Sequence, residues 1–150
     1  MQLSFEDGGR RLVIGGDFTE ESDFGPAAAQ ARGEVEVDLG AVRRINSSGV
    51  REWVGFVRAA GKAARLTLHR CPVSFVSQMN MISNFVGGAR VHSVLVPGLC
   101  SGCGAAREEL ALVADLRAGR RDLPPCGACG GAVELDADES EYFSFLSRVD

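Results

Sequence analysis

The sequence predicts an α/β protein: a mixed sheet with helices packed on it, followed by a small cysteine-bearing module. Three observations predict it. Stretches in which apolar residues alternate take turns with stretches in which they recur every three or four positions, so strands and helices follow one another along the chain. The charge balance changes near residue 98: residues 1–97 hold 11 Lys/Arg and 10 Asp/Glu, residues 98–150 hold 5 Arg and 10 Asp/Glu. Four of the five cysteines fall after that point, in two C-x-x-C pairs.

The first segment begins with a hairpin. Leu3 and Phe5 alternate with polar neighbours, Gly8-Gly9 is a turn signal, and Arg11 to Ile14 resumes the strand. Gly15-Gly16-Asp17-Phe18-Thr19 is expected to end it. Pro26 breaks the next pattern, which leaves room for a short helix over Ala27 to Arg32. Val35, Val37 and Leu39 then alternate with Glu36 and Asp38, which predicts a strand over 34–39. Val50, Trp53, Val54 and Val57 recur at helical spacing, which predicts a helix over 49–60 with Gly61 stopping it. Ala64 to His69 reads as a second strand, with Leu66 and Leu68 on one face. Pro72 opens a helix whose apolar positions Phe75, Val76, Met79, Ile82 and Val86 run up to Gly87-Gly88. Val91 to Val96 reads as a last strand.

Between the strand at 34–39 and the helix at 49–60 lies Asn46-Ser47-Ser48-Gly49. Such a run places hydroxyls where unpaired backbone amides and the positive end of the helix dipole point outward, a good place for a phosphate. The same residues are also preferred caps and turn formers, so the plainer reading is that they start the helix and nothing more.

The cysteines carry the sharpest chemistry. Cys100 and Cys103 form one C-x-x-C-Gly unit, Cys126 and Cys129 the other, with 22 residues between them. Two thiols three positions apart in a tight turn can chelate one ion. The following glycine lets the backbone curl so that amides reach the sulfurs. Two such turns give a tetrahedral thiolate site suited to structural zinc. Strands over 110–113 and 132–135 complete what resembles a zinc ribbon, a segment too small to fold on its own core without the metal. A rubredoxin-type iron site and a redox dithiol pair are the competing readings. A closed shell of four thiolates leaves no position for a substrate. Cys71 reads as a buried structural thiol, and His69 and His92 have no metal-ligand spacing. Trp53 belongs to the apolar stripe. Phe56 falls off it and is a candidate partner contact.

Composition narrows the function. At 150 residues, 45% hydrophobic and with a net charge of -4, the chain can bury a core and offers no basic surface for nucleic acid. The N-terminus has no signal pattern and no apolar run reaches membrane-spanning length, which leads to an expectation of a cytoplasmic protein with reduced thiols. No Ser/His/Asp set and no Walker loop is apparent, so no enzyme is expected.

The order of elements and the Asn46-Ser-Ser-Gly49 turn resemble the STAS domain, the fold of bacterial anti-sigma-factor antagonists. Members carry a strand, then Asp-Ser-(Ser/Thr)-Gly, then a helix; Asn46 stands where they have Asp. The resemblance covers about residues 1–97 and leaves 98–150 as the ribbon-like module. It implies a regulatory protein that docks a partner through Asn46, Ser47, Ser48 and Gly49. That partner is an anti-sigma factor with serine kinase activity, or another STAS protein. It implies that Ser47 is the phosphorylated residue and that only the unmodified form binds. Alternatives are a zinc-ribbon adaptor or scaffold working without phosphorylation, and a nucleic-acid-binding adaptor, which the acidic balance opposes.

Overall fold

Leu12 and Ile14 are fully buried while Arg11 and Val13, which alternate with them, stay partly exposed, so the first hairpin shows one face to a core. The computed structural model describes residues 1–149. Strand β1 (Gln2–Glu6) pairs antiparallel with β2 (Arg11–Phe18). Helix α1 (Gly25–Gln30) leads to β3 (Gly33–Ile45), which lies parallel to β2. Helix α2 (Ser47–Ala60), β4 (Ala64–His69), α3 (Val73–Met81) and β5 (Arg90–Val91) follow, with β4 parallel to both β3 and β5. The result is a five-stranded mixed sheet in the order β1-β2-β3-β4-β5.

Strand β6 (Ser93–Cys100), β7 (Ala106–Leu112), α4 (Val113–Arg117), β8 (Val133–Leu135) and α5 (Glu139–Tyr142) complete the chain. The second sheet has three antiparallel strands in the order β7-β6-β8. The α/β class expected from the alternation is the observed one.

Alternation along β3 puts Val35, Val37 and Leu39 in the core, where α2 lays Trp53, Phe56, Val57 and Ala60. Trp53 is the centre of an aromatic cluster. It stacks on Phe18 at 5.7 Å and meets Phe75 edge-on at 5.2 Å, with Phe24, Phe56 and Phe85 around it. Its indole N–H donates to the Phe85 carbonyl at 3.1 Å, which satisfies the one polar atom this side chain buries. Phe56 is therefore core, not a partner contact. It falls off the α2 stripe but packs at 5.2 Å on Phe24, the residue just before α1, a contact that periodicity within α2 alone does not show.

Several boundaries differ from the sequence expectation, each for a local reason. Strand β2 continues through Gly15-Gly16 to Phe18, because Gly16 adopts a φ of +87° that a side chain would strain. Strand β3 runs to Ile45 and carries two one-residue bulges where it pairs with β2. Helix α2 begins at Ser47, two residues earlier than the apolar stripe indicates. Helix α3 stops at Met81, not Val86: Ile82 is extended and Asn84 is left-handed at +63°. Phe85 and Val86 are still buried, so helical spacing marks burial there without a helix. The strand expected over 91–96 is split at His92. Arg90–Val91 pairs with β4, and the chain then enters the other sheet.

Strand β6 passes continuously through residues 97 and 98. Val94, Val96, Val113, Leu116, Tyr142, Phe143 and Phe145 join the same core cluster as Trp53. The C-terminal segment is tied to α3 through Asn80, whose amide donates to the Tyr142 carbonyl at 3.1 Å and whose carbonyl accepts from Arg148 at 2.8 Å. The Tyr142 hydroxyl donates to the Leu95 carbonyl of β6 at 2.6 Å. No helix among the described residues is long and apolar enough to cross a membrane.

Candidate functional site

The serine turn is built where β3 ends beside β2. The Asn46 amide donates to the Phe18 carbonyl at 3.0 Å, which pins the turn to the end of β2. Asn46 itself is extended, and its side-chain oxygen accepts the Gly49 amide at 2.8 Å. That is the N-cap bond, made to one of the orphan amides of the first turn. The Asn46 side-chain N–H₂ donates to Glu20 at 3.2 Å. The Glu20 carboxyl is held below its usual range by its own backbone amide first and by Asn46 second.

Gly49 lies underneath, buried against β2. A Cβ there would collide with the Phe18 carbonyl, so close packing of α2 on β2 requires glycine. Ser47 and Ser48 form the visible part. Ser47 is exposed and Ser48 half-buried. Neither hydroxyl takes a hydrogen-bond partner among the described residues. Capping is thus done by Asn46, and the Ser47 hydroxyl is left over.

The four thiols come together at the end of the second sheet. Their sulfurs lie within 4.8 Å of one another, with Cys100 and Cys129 at 3.4 Å and Cys103 and Cys126 at 3.9 Å. A tetrahedron with metal–sulfur bonds of about 2.3 Å has edges of about 3.8 Å, so the set fits one ion. The two knuckles have the same backbone. Gly104 donates to the Cys100 carbonyl at 2.9 Å and Gly130 to the Cys126 carbonyl at 2.7 Å. Cys100 donates to the Ala105 carbonyl at 3.0 Å and Cys126 to the Gly131 carbonyl at 2.9 Å. Gly104 and Gly130 have φ of +74° and +73°, the curl expected of the residue after each second cysteine.

Amides then turn inward. Gly102 and Cys103 donate to the Cys100 sulfur at 3.3 and 3.4 Å, and Gly131 to the Cys129 sulfur at 3.3 Å. Donors aimed at a sulfur favour its thiolate. The Cys126 thiol is pulled down to about 6, first by the Cys129 and Ala128 amides. Cys100 is lowered as well, first by the Cys103 amide. Cys129 is pushed up to about 11: the Gly131 amide acts against this, but the neighbouring sulfurs of Cys100 and Cys103 prevail. Several like charges in so small a space need a cation to bring them all to thiolate.

Two charged side chains at this site are not singled out by the sequence reading. Arg107 reaches to 3.7 Å from the Cys126 sulfur, and Glu109 holds its guanidinium at 3.1 Å. Their spacing of two on one strand face is the signal that would find them. A second cluster lies on the five-stranded sheet. Asp38 is buried and takes Arg11 at 2.6 Å, Arg70 at 3.0 Å and the Gly40 amide at 3.0 Å. Arg70 holds a left-handed φ of +54°, and its guanidinium fills the space a Cβ on Gly40 would need. Beside it the His69 and His92 rings lie 4.5 Å apart and tilted by 35°, brought together by the parallel pairing of β4 and β5. Cys71 is buried, and burial pushes its thiol up, in keeping with a structural role.

The four cysteines are thus assembled to hold a metal ion. The serine turn belongs to the other sheet, at the end of β3. No family model, curated protein or solved structure matches the chain.

Proposed function

We propose that the chain is a non-enzymatic regulatory module of the STAS type, which docks a protein partner through the turn at Asn46-Ser47-Ser48-Gly49 and the exposed face of α2. The partner would be a serine kinase acting as an anti-sigma factor, or a second STAS protein, in a bacterial cytoplasm. The observation that carries this reading is the division of labour in the turn. Asn46 does the capping, so Ser47 keeps a free, exposed hydroxyl at the first position of α2.

The physics suits a switch. Phosphorylation of Ser47 would add about -1.5 to -2 charge. At a helix N-terminus that charge is stabilising, so the domain keeps its fold. Glu20 already sits against the turn through Asn46. The phosphate would add its charge to that of Glu20, and an acidic partner surface would be repelled. The four cysteines would hold structural zinc, which braces the second sheet beside the docking domain.

The experiment is partner capture from the native host with wild type, Ser47→Ala and Ser47→Asp, each checked for fold by thermal unfolding. Wild type and Ser47→Ala should retain the same partner and Ser47→Asp should lose it, with unfolding temperatures unchanged. Capture that is identical for all three would remove the switch. Elemental analysis of the same protein should give one zinc per chain; iron would replace the zinc assignment and leave the docking surface as it is.

A further inference from the structure

We infer that the four-cysteine centre is also a peroxide-sensitive modification site, and that its disulfides form between the two knuckles, Cys100 with Cys129 and Cys103 with Cys126. This rests on the metal-centre reading above for the release of an ion, and on the sulfur positions alone for the pairing.

The pairing follows from distances. The close approaches are between knuckles, 3.4 Å for Cys100–Cys129 and 3.9 Å for Cys103–Cys126. A disulfide needs about 2.05 Å, so the pairs must close by roughly 1.4 and 1.9 Å. No side chain lies between the two turns at Gly102 and Gly131. Gly102 and Gly131 face each other across the centre, and a Cβ on Gly131 would lie 3.0 Å from the Cys100 sulfur and 3.3 Å from Gly102. The knuckles can approach only because both residues lack a side chain. Within a knuckle, by contrast, the Gly104 and Gly130 amides bind the carbonyls of Cys100 and Cys126 and hold the backbone of each turn in its curl.

Access supports the chemistry. Each cross pair joins an exposed thiol, Cys103 or Cys129, to a buried one. A hydroperoxide reaches the exposed sulfur. The thiolate attacks one peroxide oxygen, the O–O bond breaks, and a sulfenic acid and hydroxide form. The buried partner's thiolate then attacks the sulfenic sulfur, the S–S bond forms and a second hydroxide leaves. In sum, two thiolates, one hydrogen peroxide and two protons give one disulfide and two waters. Two such events consume all four ligands, and the ion is left without a site.

The test uses the full chain as purified, treated with hydrogen peroxide and digested with trypsin without reduction. Cleavage after Arg90, Arg107 and Arg121 puts Cys100 and Cys103 on one peptide and Cys126 and Cys129 on another. Disulfides between knuckles join the two peptides; disulfides within knuckles leave them apart, each lighter by two hydrogens. The expected result is the joined pair, with fragmentation placing Cys100 on Cys129, and release of one metal equivalent per chain to a chromogenic chelator. Separate peptides, or thiols that survive peroxide while the metal stays bound, would overturn the inference. Joined peptides from protein that carries no metal as purified would leave the pairing standing and would remove the metal-centre reading instead.

Discussion

Asn46 and Gly49 close the start of α2 together: the side-chain oxygen of one accepts the backbone amide of the other at 2.8 Å. The same two residues attach the helix to β2, through the Asn46 amide on the Phe18 carbonyl and through the backbone of Gly49 packed against that carbonyl. The turn is rigid for reasons that do not involve Ser47. A rigid base under a free hydroxyl is what a docking surface with a modifiable charge requires.

Replacing Asn46 with Ala removes the cap and leaves the Gly49 amide without a side-chain acceptor. The expected cost is about 1 kcal/mol in urea-induced unfolding followed by Trp53 fluorescence. Asn46→Asp keeps an acceptor in the same place, so it should recover most of that loss. It also places a second carboxylate beside Glu20, so the recovery should be smaller at low ionic strength than at high. Equal stability of the Ala and Asp variants at every salt concentration would show that the capping bond contributes nothing.

Gly49→Ala is expected to be worse than the loss of the cap. Its Cβ would press on the Phe18 carbonyl, and backbone cannot turn aside as a flexible side chain can. Phe18 also stacks on Trp53, so relief by shifting β2 would disturb the aromatic core. A loss of about 3 kcal/mol or more, at the upper end for overpacking, should appear in the same unfolding measurement. A loss under 1 kcal/mol would mean that α2 can slide on β2.

The readable parts of the chain are those where chemistry is local. The alternation at Val35, Val37 and Leu39 marks a strand with one buried face, and the glycines after Cys103 and Cys129 mark curled knuckles. What could not be read is what depends on neighbours distant in sequence. Phe56 looks exposed until the fold brings Phe24 to it. Val86 looks helical because burial repeats at helical spacing, although the Phe85 carbonyl serves Trp53 instead of a helix. Arg70 follows β4 and carries no local signal of its own. Only the fold brings it to Asp38 from β3, with Gly40 making room.

Arg107 lends its charge to the thiolate centre, and Glu109 holds it in place. Outer partners of metal ligands typically set affinity within 10–100-fold. Arg107→Gln should therefore release metal to a competing chelator about 10-fold more readily than wild type. Arg107→Lys, which keeps the charge without the planar fork, should fall between the two. Trp53 emission should be the same in all three, because the indole lies in the core of the other sheet. Equal metal retention in wild type and Arg107→Gln would show that the amides alone stabilise the sulfurs.

Acid should destabilise the protein in two separate windows. His69 is held below its usual value by burial first and by the His92 ring second; Arg11 adds to this, while Glu36 and Asp38 act in the opposite sense. The unfolded chain therefore takes up this proton before the folded one. Stability falls as pH drops below the ordinary histidine value of about 6.5. Asp38 is also lowered, since burial acts to raise it but the Gly40 amide and the Arg70 and Arg11 guanidiniums outweigh burial. Its unfolded form protonates first below about 3.9, and the contribution of the ion cluster is lost as pH falls through the folded value. Urea midpoints measured from pH 8 to pH 3 should show both declines. His69→Gln should flatten the one between pH 7 and 5.5 and leave the acid one intact. A His69→Gln profile parallel to wild type from pH 7 to 5.5 would mean that the burial of His69 does not couple its proton to folding.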